Sequence, residues 1–494
     1  VSAVAVAAGD PPGAPLEAAV PGQSIDVHVT VRNGGTRPLR FGGAESVSPE
    51  GWRASGELPP RTLAPGELTG AVLRVSVPPD AEPSRPWFHR ASIARNTYAV
   101  RDSSSIHLGE AAPRLLVGAV VEVDGGPGVG AVPVRFRTPV RTLEADPPFG
   151  TWLRDLAVVP PVSREVTPGL RVLRPGAAGP FDVAVRVASA APEPADAAVT
   201  LEVPAGWSAR PARADLRLAG RGATASATFT VTPPPTVTDR ARLEAVARLG
   251  GRDYREHVRT IRHRDLAARR LYAPAGVGVV PVDVTVAEGL RVGYVMGVGD
   301  EVPAALEQLG ARVTLLDTGD LASADLSAYD AVVAGTRAYA VRQDLVAHNA
   351  RLLDYARSGG NLVVLYQTPE FAPETQAPFP ASLPGDAEEV SEEDAPVSLL
   401  AAGHPLLTTP NRIAEADFEG WIEQRGSKFF ASWDGAYVPL VETHDTGQAP
   451  QRGVWLSAEV GAGRYTYVAL ALHRQLPYGV PGAYRILANL ITPR

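Results

Sequence analysis

Through the first half of the 494-residue chain, apolar and polar positions alternate with a period of two. Ile25, Val27, Val29 and Val31 are apolar, with Asp26, His28 and Thr30 between them, which is the pattern of a half-buried strand. Phe181, Val183, Val185 and Val187 repeat it, as do Ala227, Phe229 and Val231. Turn signals at Asn33-Gly34-Gly35, Ala64-Pro65-Gly66 and Pro204-Ala205-Gly206 separate such runs. Near residue 265 the period changes. Residues 290–296 (LRVGYVM), 313–316, 329–339 (YDAVVAGTRAY) and 361–366 (NLVVLY) read as buried strands, with helical patterns over 302–309 and 344–356. Strands alternating with helices imply βαβ units, right-handed crossovers and a parallel sheet.

The alternating half also repeats itself. Asp26-Val27, Gly51-Trp52 and Pro78-Pro79 recur as Asp182-Val183, Gly206-Trp207 and Pro233-Pro234, at offsets of 156, 155 and 155 residues. Two copies of one β-sandwich module account for a spacing held this closely. Trp52 and Trp207, each after a tight turn, are expected to plug the end of their sandwich; stacking on a sugar is the alternative. Residues 111–160 hold further strand-like runs that complete the first module, and Val158-Val159-Pro160-Pro161 reads as the joint. The fold class is therefore multidomain β plus α/β. Residues 1–160 and 161–265 form two immunoglobulin-like β-sandwiches, the first with extra strands, and 266–494 form a doubly wound parallel-sheet domain.

Composition narrows the function classes. The chain is 45% hydrophobic and 20% charged, enough for ordinary cores. A net charge of -7 gives no electrostatic footprint for nucleic acid. No apolar run approaches the roughly 18 residues of a membrane span. There are no cysteines, which removes disulfides, thiolate metal sites and cysteine catalysis. The chain opens on Val1 without a signal-type segment, which reads as a processed or truncated start.

In a doubly wound sheet, ligands bind outside the carboxyl ends of the strands. Those ends carry Gly297 to Asp300, then Arg337 and Tyr339, then Tyr366, Gln367, Thr368 and Glu370. GVGDEVP lacks the third glycine of a dinucleotide fingerprint, and Asp300 reads as a helix cap with Pro303 in the first turn. A nucleophile elbow needs a reactive residue between small neighbours on a tight turn, whereas LYQTPEF offers bulky ones and a proline. The histidines show no metal-ligand spacing, so no catalytic, metal or cofactor site is assigned. The acidic run 385–394, with six carboxylates, reads as a solvated loop. Toward the C-terminus Trp421, Glu423, Arg425, His473 and Arg474, with Trp433 and Gln475, are types that line a binding groove. They are equally the makings of a buried arginine–glutamate network. The ligand candidates are thus Arg337, Tyr339, Tyr366, Gln367, Thr368, Trp421, Glu423, Arg425, His473 and Arg474.

RVGYVMGVGDEVPAALEQLGARVTLLDTGDL, YDAVVAGTRAY, LLDYARSGGNLVVLYQT and RQLPYGVPGAYRILANLI resemble the C-terminal region of large secreted PIG-L-type (LmbE-like) deacetylase proteins. The segment LEVPAGWSARPARADLRLAGRGATASATFTVTPP is similar to the sandwich repeat that accompanies sugar-processing enzymes. The resemblance implies a flavodoxin- or class I glutamine amidotransferase-like C-terminal domain and a secreted or cell-surface location. It departs from the family in two places. The zinc ligands H-P-D-D-E and H-x-x-H are not in these residues, so the deacetylase activity carries over to no position. The amidotransferase cysteine would follow residues 362–365, where this chain has Tyr366 and Gln367. The chain is expected to be a non-catalytic accessory region of an exported carbohydrate-active protein, binding carbohydrate, docking a catalytic domain or self-associating. Two alternatives stay open: a structural surface or filament subunit, and a hydrolase using Glu370, Arg337 or His473 as acid or base.

Overall fold

In the computed structural model the described residues are 1–493 except 48–50, 91, 94, 96, 109–110, 125–129, 147–149, 175, 177–178 and 264–265. The chain is β-rich and built from several sheets. In the first module Ser2–Ala7, Ser24–Arg32, Leu68–Ser76 and Arg53–Ser55 lie side by side, extended beyond Ser2–Ala7 by Arg141–Asp146 and Gly150–Asp155. The facing sheet is Ala131–Pro139, Leu116–Asp124, Leu39–Val47 and Arg61–Leu63. The predicted alternation holds: Ile25, Val27, Val29 and Val31 are all buried between the sheets.

The second module repeats this order. Val162–Thr167, Phe181–Ser189, Thr224–Thr232 and Ser208–Arg210 form one sheet, and Ala241–Leu249, Ala195–Glu202 and Ala214–Leu218 lie in the other. Equivalent cross-strand pairs recur, Asp26 opposite Arg74 and Asp182 opposite Thr230, each joined by a side-chain hydrogen bond. Gly51 and Gly206 share a left-handed φ of 84°, and each abuts the proline of its own copy, Pro78 and Pro234. Trp52 and Trp207 are half-buried against the rims of the two cores.

Two elements differ from the sequence expectation. Leu266–Pro274, placed by pattern in the α/β domain, is the second arm of a hairpin with Glu256–His263. Gly276–Pro281 pairs with Ala241–Leu249 and with Leu170–Leu173, inside the second sandwich. The hairpin reaches back to the first module. Arg85 makes a bidentate pair with Glu256, its guanidinium lies 4.2 Å from the Tyr272 ring, and Tyr272 donates to the Ser84 carbonyl.

The C-terminal sheet has seven strands: β1 (Arg291–Val295), β2 (Arg312–Leu315), β3 (Ala331–Ala334), β4 (Asn361–Leu365), β5 (Tyr437–Pro439), β6 (Trp455–Val460) and β7 (Gly463–Val468). Their order is β2-β1-β3-β4-β7-β6-β5; the first five in that order are parallel and β6 is antiparallel to β7. Every residue of β4 is buried, as the unbroken apolar run requires. The amphipathic helix α1 (Gln343–Arg357) turns Leu345, Asn349, Leu352, Leu353 and Ala356 inward. Helix α2 (Pro481–Ile491), started by a proline, is buried along almost its whole length. The chain reverses direction across the sheet between β1 and β3, so the crest above those strands is the place to look for a site.

Candidate functional site

The crest is tightly closed around its backbone. A Cβ on Gly297 would sit 1.9 Å from the Thr336 carbonyl, and one on Gly335 would meet the Tyr294 hydroxyl at 2.6 Å and its ring at 2.8 Å. Asp300 fills the gap between β1 and β3. Its carboxylate accepts from the Tyr294 hydroxyl at 2.9 and 3.0 Å and from the amides of Val302 and Thr336, both at 3.1 Å. It thus caps the first amide of Val302–Gln308 from one residue outside the N-cap, which is Glu301. Burial, and next the Asp300 charge, push the Tyr294 phenol up, so it stays a donor.

Gln367 is completely buried. Its amide donates to the carbonyls of Gly335 (2.8 Å) and Leu365 (2.9 Å) and accepts from the Tyr339 amide (3.1 Å). The Tyr339 ring is buried too, and its hydroxyl donates to Asn349. Both candidates face inward and tie β3 to β4. Arg337 sits between them at φ 54°, a left-handed conformation uncommon outside glycine. Its amide donates to the Tyr366 carbonyl at 2.8 Å, and its side chain reaches the Thr368 hydroxyl at 3.4 Å. The Thr368 hydroxyl in turn holds Glu370 below its ordinary pKa.

On the open side, Tyr366 stacks on His473, with ring centroids 5.5 Å apart. Burial, helped by Arg474, lowers the His473 pKa to about 4, against the pull of Asp300 and Glu423. The ring is neutral at pH 7, with one donor and one acceptor nitrogen. A general base works best with a pKa near the operating pH, so His473 is poorly matched to proton abstraction and well matched to hydrogen bonding. Arg474 pairs with Glu423, whose backbone is left-handed at φ 66° and whose amide donates to Glu393.

Trp421 and Arg425 belong to the interior. The Trp421 indole donates to the Asp417 carbonyl at 3.0 Å. Arg425 donates to the carbonyls of Ala395 and Phe418, and burial lowers its pKa to about 10. Gln475, fully buried, bridges the amide and carbonyl of Ile422. The predicted groove residues therefore divide. Arg337, Tyr366, Thr368, Glu423, His473 and Arg474 are partly exposed, while Tyr339, Gln367, Trp421 and Arg425 are engaged with the protein itself. The acidic run is more ordered than a solvated loop: Glu389, Glu392 and Glu393 accept from Ser427, Thr446 and Glu423. No group of three or more His, Asp or Glu that could hold a metal ion occurs among the described residues. Sequence reasoning missed the Asp300–Tyr294–Thr336 tie, whose signal was only an acid beside the reversal of strand order. At the opposite edge of the sheet a cavity of about 530 Å³ is lined by Asp325, Tyr329, Asp330, Arg351 and Tyr355.

Residues 19–93, which lie in the first sandwich, match the family described as NPCBM-associated, NEW3 domain of alpha-galactosidase. No curated protein sequence matches the chain. Among solved structures it is similar to a β-galactosidase from Rahnella sp. R3 at 14% identity, over 40% of this chain and 31% of that one, TM-score 0.25. It is similar to the exo-β-1,4-mannosidase Op5Man5 from Opitutaceae bacterium strain TAV5 at 11% identity, over 42% and 37%, TM-score 0.27. WR4, a C. elegans MSP family member, aligns at 9% identity over 24% and 96%, TM-score 0.15. The chain spans about a third of the length of the two glycosidases, and at these scores the likenesses carry no argument.

Proposed function

We propose that this chain is a non-catalytic, carbohydrate-binding accessory region of an exported carbohydrate-active protein. The observation that carries the reading is the NEW3 match over residues 19–93, in a module whose strand order the second sandwich repeats. The crest supports binding over catalysis. The residue that follows β4 is a tyrosine stacked on a neutral histidine, and Gln367 beside it is engaged with backbone. On this reading the chain divides into two sandwich modules and a flavodoxin- or amidotransferase-like domain that has kept its sheet and lost its reactive group. The C-terminal segments resemble PIG-L-type proteins, so a zinc deacetylase domain is the catalytic partner the region would serve, outside the cell.

Two experiments test this. The upstream reading frame is expected to encode a zinc deacetylase or another sugar-processing domain; an unrelated or absent coding sequence overturns the accessory assignment. Gel electrophoresis through immobilised polysaccharides is expected to retard the chain in at least one matrix. Unretarded migration in all of them contradicts carbohydrate binding.

A further inference from the structure

The connection that follows the third strand of the repeat differs in length between the two sandwich copies. Where the second has residues 233–240 between its Thr224–Thr232 and Ala241–Leu249 strands, the first has residues 77–115. This insertion carries a short ladder, Phe88–His89 paired with Ala99–Val100. On it Trp87, Phe88 and Tyr98 form a chain of edge-to-face rings, with centroids 4.9 and 5.4 Å apart. Phe88 is 36% exposed and Tyr98 62%, and Val100, Ile106 and Leu108 extend the apolar surface.

The base of the insertion is anchored. The Trp87 indole donates to the Leu108 carbonyl at 3.0 Å, and the Trp87 carbonyl accepts from the amides of Arg101 and Asp102. Asp102 accepts from Ser104 and Ser105. Arg114 and Ser84 fasten the flanks to Pro83 and Val158. The rings are therefore displayed on a supported platform, and a supported exposed apolar patch marks an interaction site.

We infer that the Trp87–Phe88–Tyr98 cluster is a saccharide-binding platform that takes one or two pyranose rings. The inference rests on the carbohydrate-accessory reading and adds to it a location. A pyranose has an apolar C–H face and a rim of hydroxyls. Aromatic rings stack on that face, and the exposed Arg95 and Arg101 supply donors for hydroxyl or carboxylate substituents. Size favours a saccharide over a second copy of the chain. Three half-exposed rings, at roughly 150–250 Å² each when fully buried, present only a few hundred Å². A stable protein interface needs about 800 Å² per partner. The NEW3 match extends through residue 93, so Trp87 and Phe88 lie within it.

The test is affinity electrophoresis of the full chain and of Phe88→Ala, Tyr98→Ala and Tyr366→Ala against β-mannan, xylan, galactan, chitosan and polygalacturonate, with circular dichroism of each variant. Tyr98 is largely exposed, so its variant keeps the fold. Phe88→Ala and Tyr98→Ala are expected each to weaken retention at least tenfold, and each by more than Tyr366→Ala does. Retention in polygalacturonate alone identifies the carboxylate-bearing ligand for the same platform. Full retention of Phe88→Ala and Tyr98→Ala with loss in Tyr366→Ala overturns the platform and leaves the accessory reading standing. Failure of the unsubstituted chain to be retained by any polymer overturns both.

Discussion

Gln367→Leu separates a structural crest from a ligand-binding one. The substitution keeps side-chain size and removes an amide that makes three hydrogen bonds in a fully buried position. The Tyr339 amide is left without that partner, which costs about 1–3 kcal/mol, and the Gly335 and Leu365 carbonyls lose one bond each. The added apolar contact of leucine recovers about 1 kcal/mol. The expected net loss is about 2–4 kcal/mol, on the order of a hundredfold in the local opening equilibrium. Native-state hydrogen exchange followed by mass spectrometry reads it directly, on peptides spanning 331–341 and 361–368. The sandwich peptides serve as internal reference, since a chain of several modules need not unfold as one unit. Protection lost in both crest peptides and retained in the sandwiches is the expected result. A change below about 0.5 kcal/mol refutes the reasoning. Unchanged protection with weakened saccharide retention would make Gln367 a ligand contact.

The other expectations draw on the same contacts. His473 has a folded-state pKa depressed to about 4, so its contribution is present above about 6.5 and is lost as pH falls toward 4, up to about 3 kcal/mol. Urea midpoints of the C-terminal transition between pH 7 and 4 should show that slope, and His473→Gln should flatten it. Asp26, held below its ordinary value by Arg74, adds stability that is lost at lower pH still, below about 4, so Asp26→Asn should lower the melting temperature more at pH 7 than in acid. Gly297→Ala would place a methyl 1.9 Å from the Thr336 carbonyl and should cost about 3 kcal/mol or more, or abolish folding of the C-terminal sheet, as read by its near-ultraviolet circular dichroism. Arg85→Ala breaks the bidentate link between the hairpin and the first sandwich and should accelerate proteolysis near residues 158–161, with both sandwich cores still protected.

The sandwiches were legible because one buried face per strand writes a period of two into the sequence. The repeat was legible because Gly51-Trp52 and Gly206-Trp207 occupy one left-handed turn. The change of period marked the parallel sheet well and its start poorly. Residues 266–281 are strands of the hairpin and second sandwich, and period alone does not say which sheet a strand joins. At the crest, residue types located the carboxyl ends of the strands and not the direction of each side chain. Tyr366 and Gln367 are neighbours on one strand end, so they face opposite ways, one toward His473 and one into the core. Arg425 and Trp421 have the composition of a groove and the burial of a core, a distinction only packing makes. The Trp87 cluster escaped notice because its three rings are spread over twelve positions and meet only through a two-residue ladder.

The central claim is that this chain holds carbohydrate and does not transform it. Isothermal titration of the full chain with oligosaccharides from the retaining polymer, with acetate and reducing-end release assayed on the same samples, measures both halves at once. Saturable binding with no product above the protein-free rate is the predicted result. Turnover, or no heat of binding with any oligosaccharide, would contradict it.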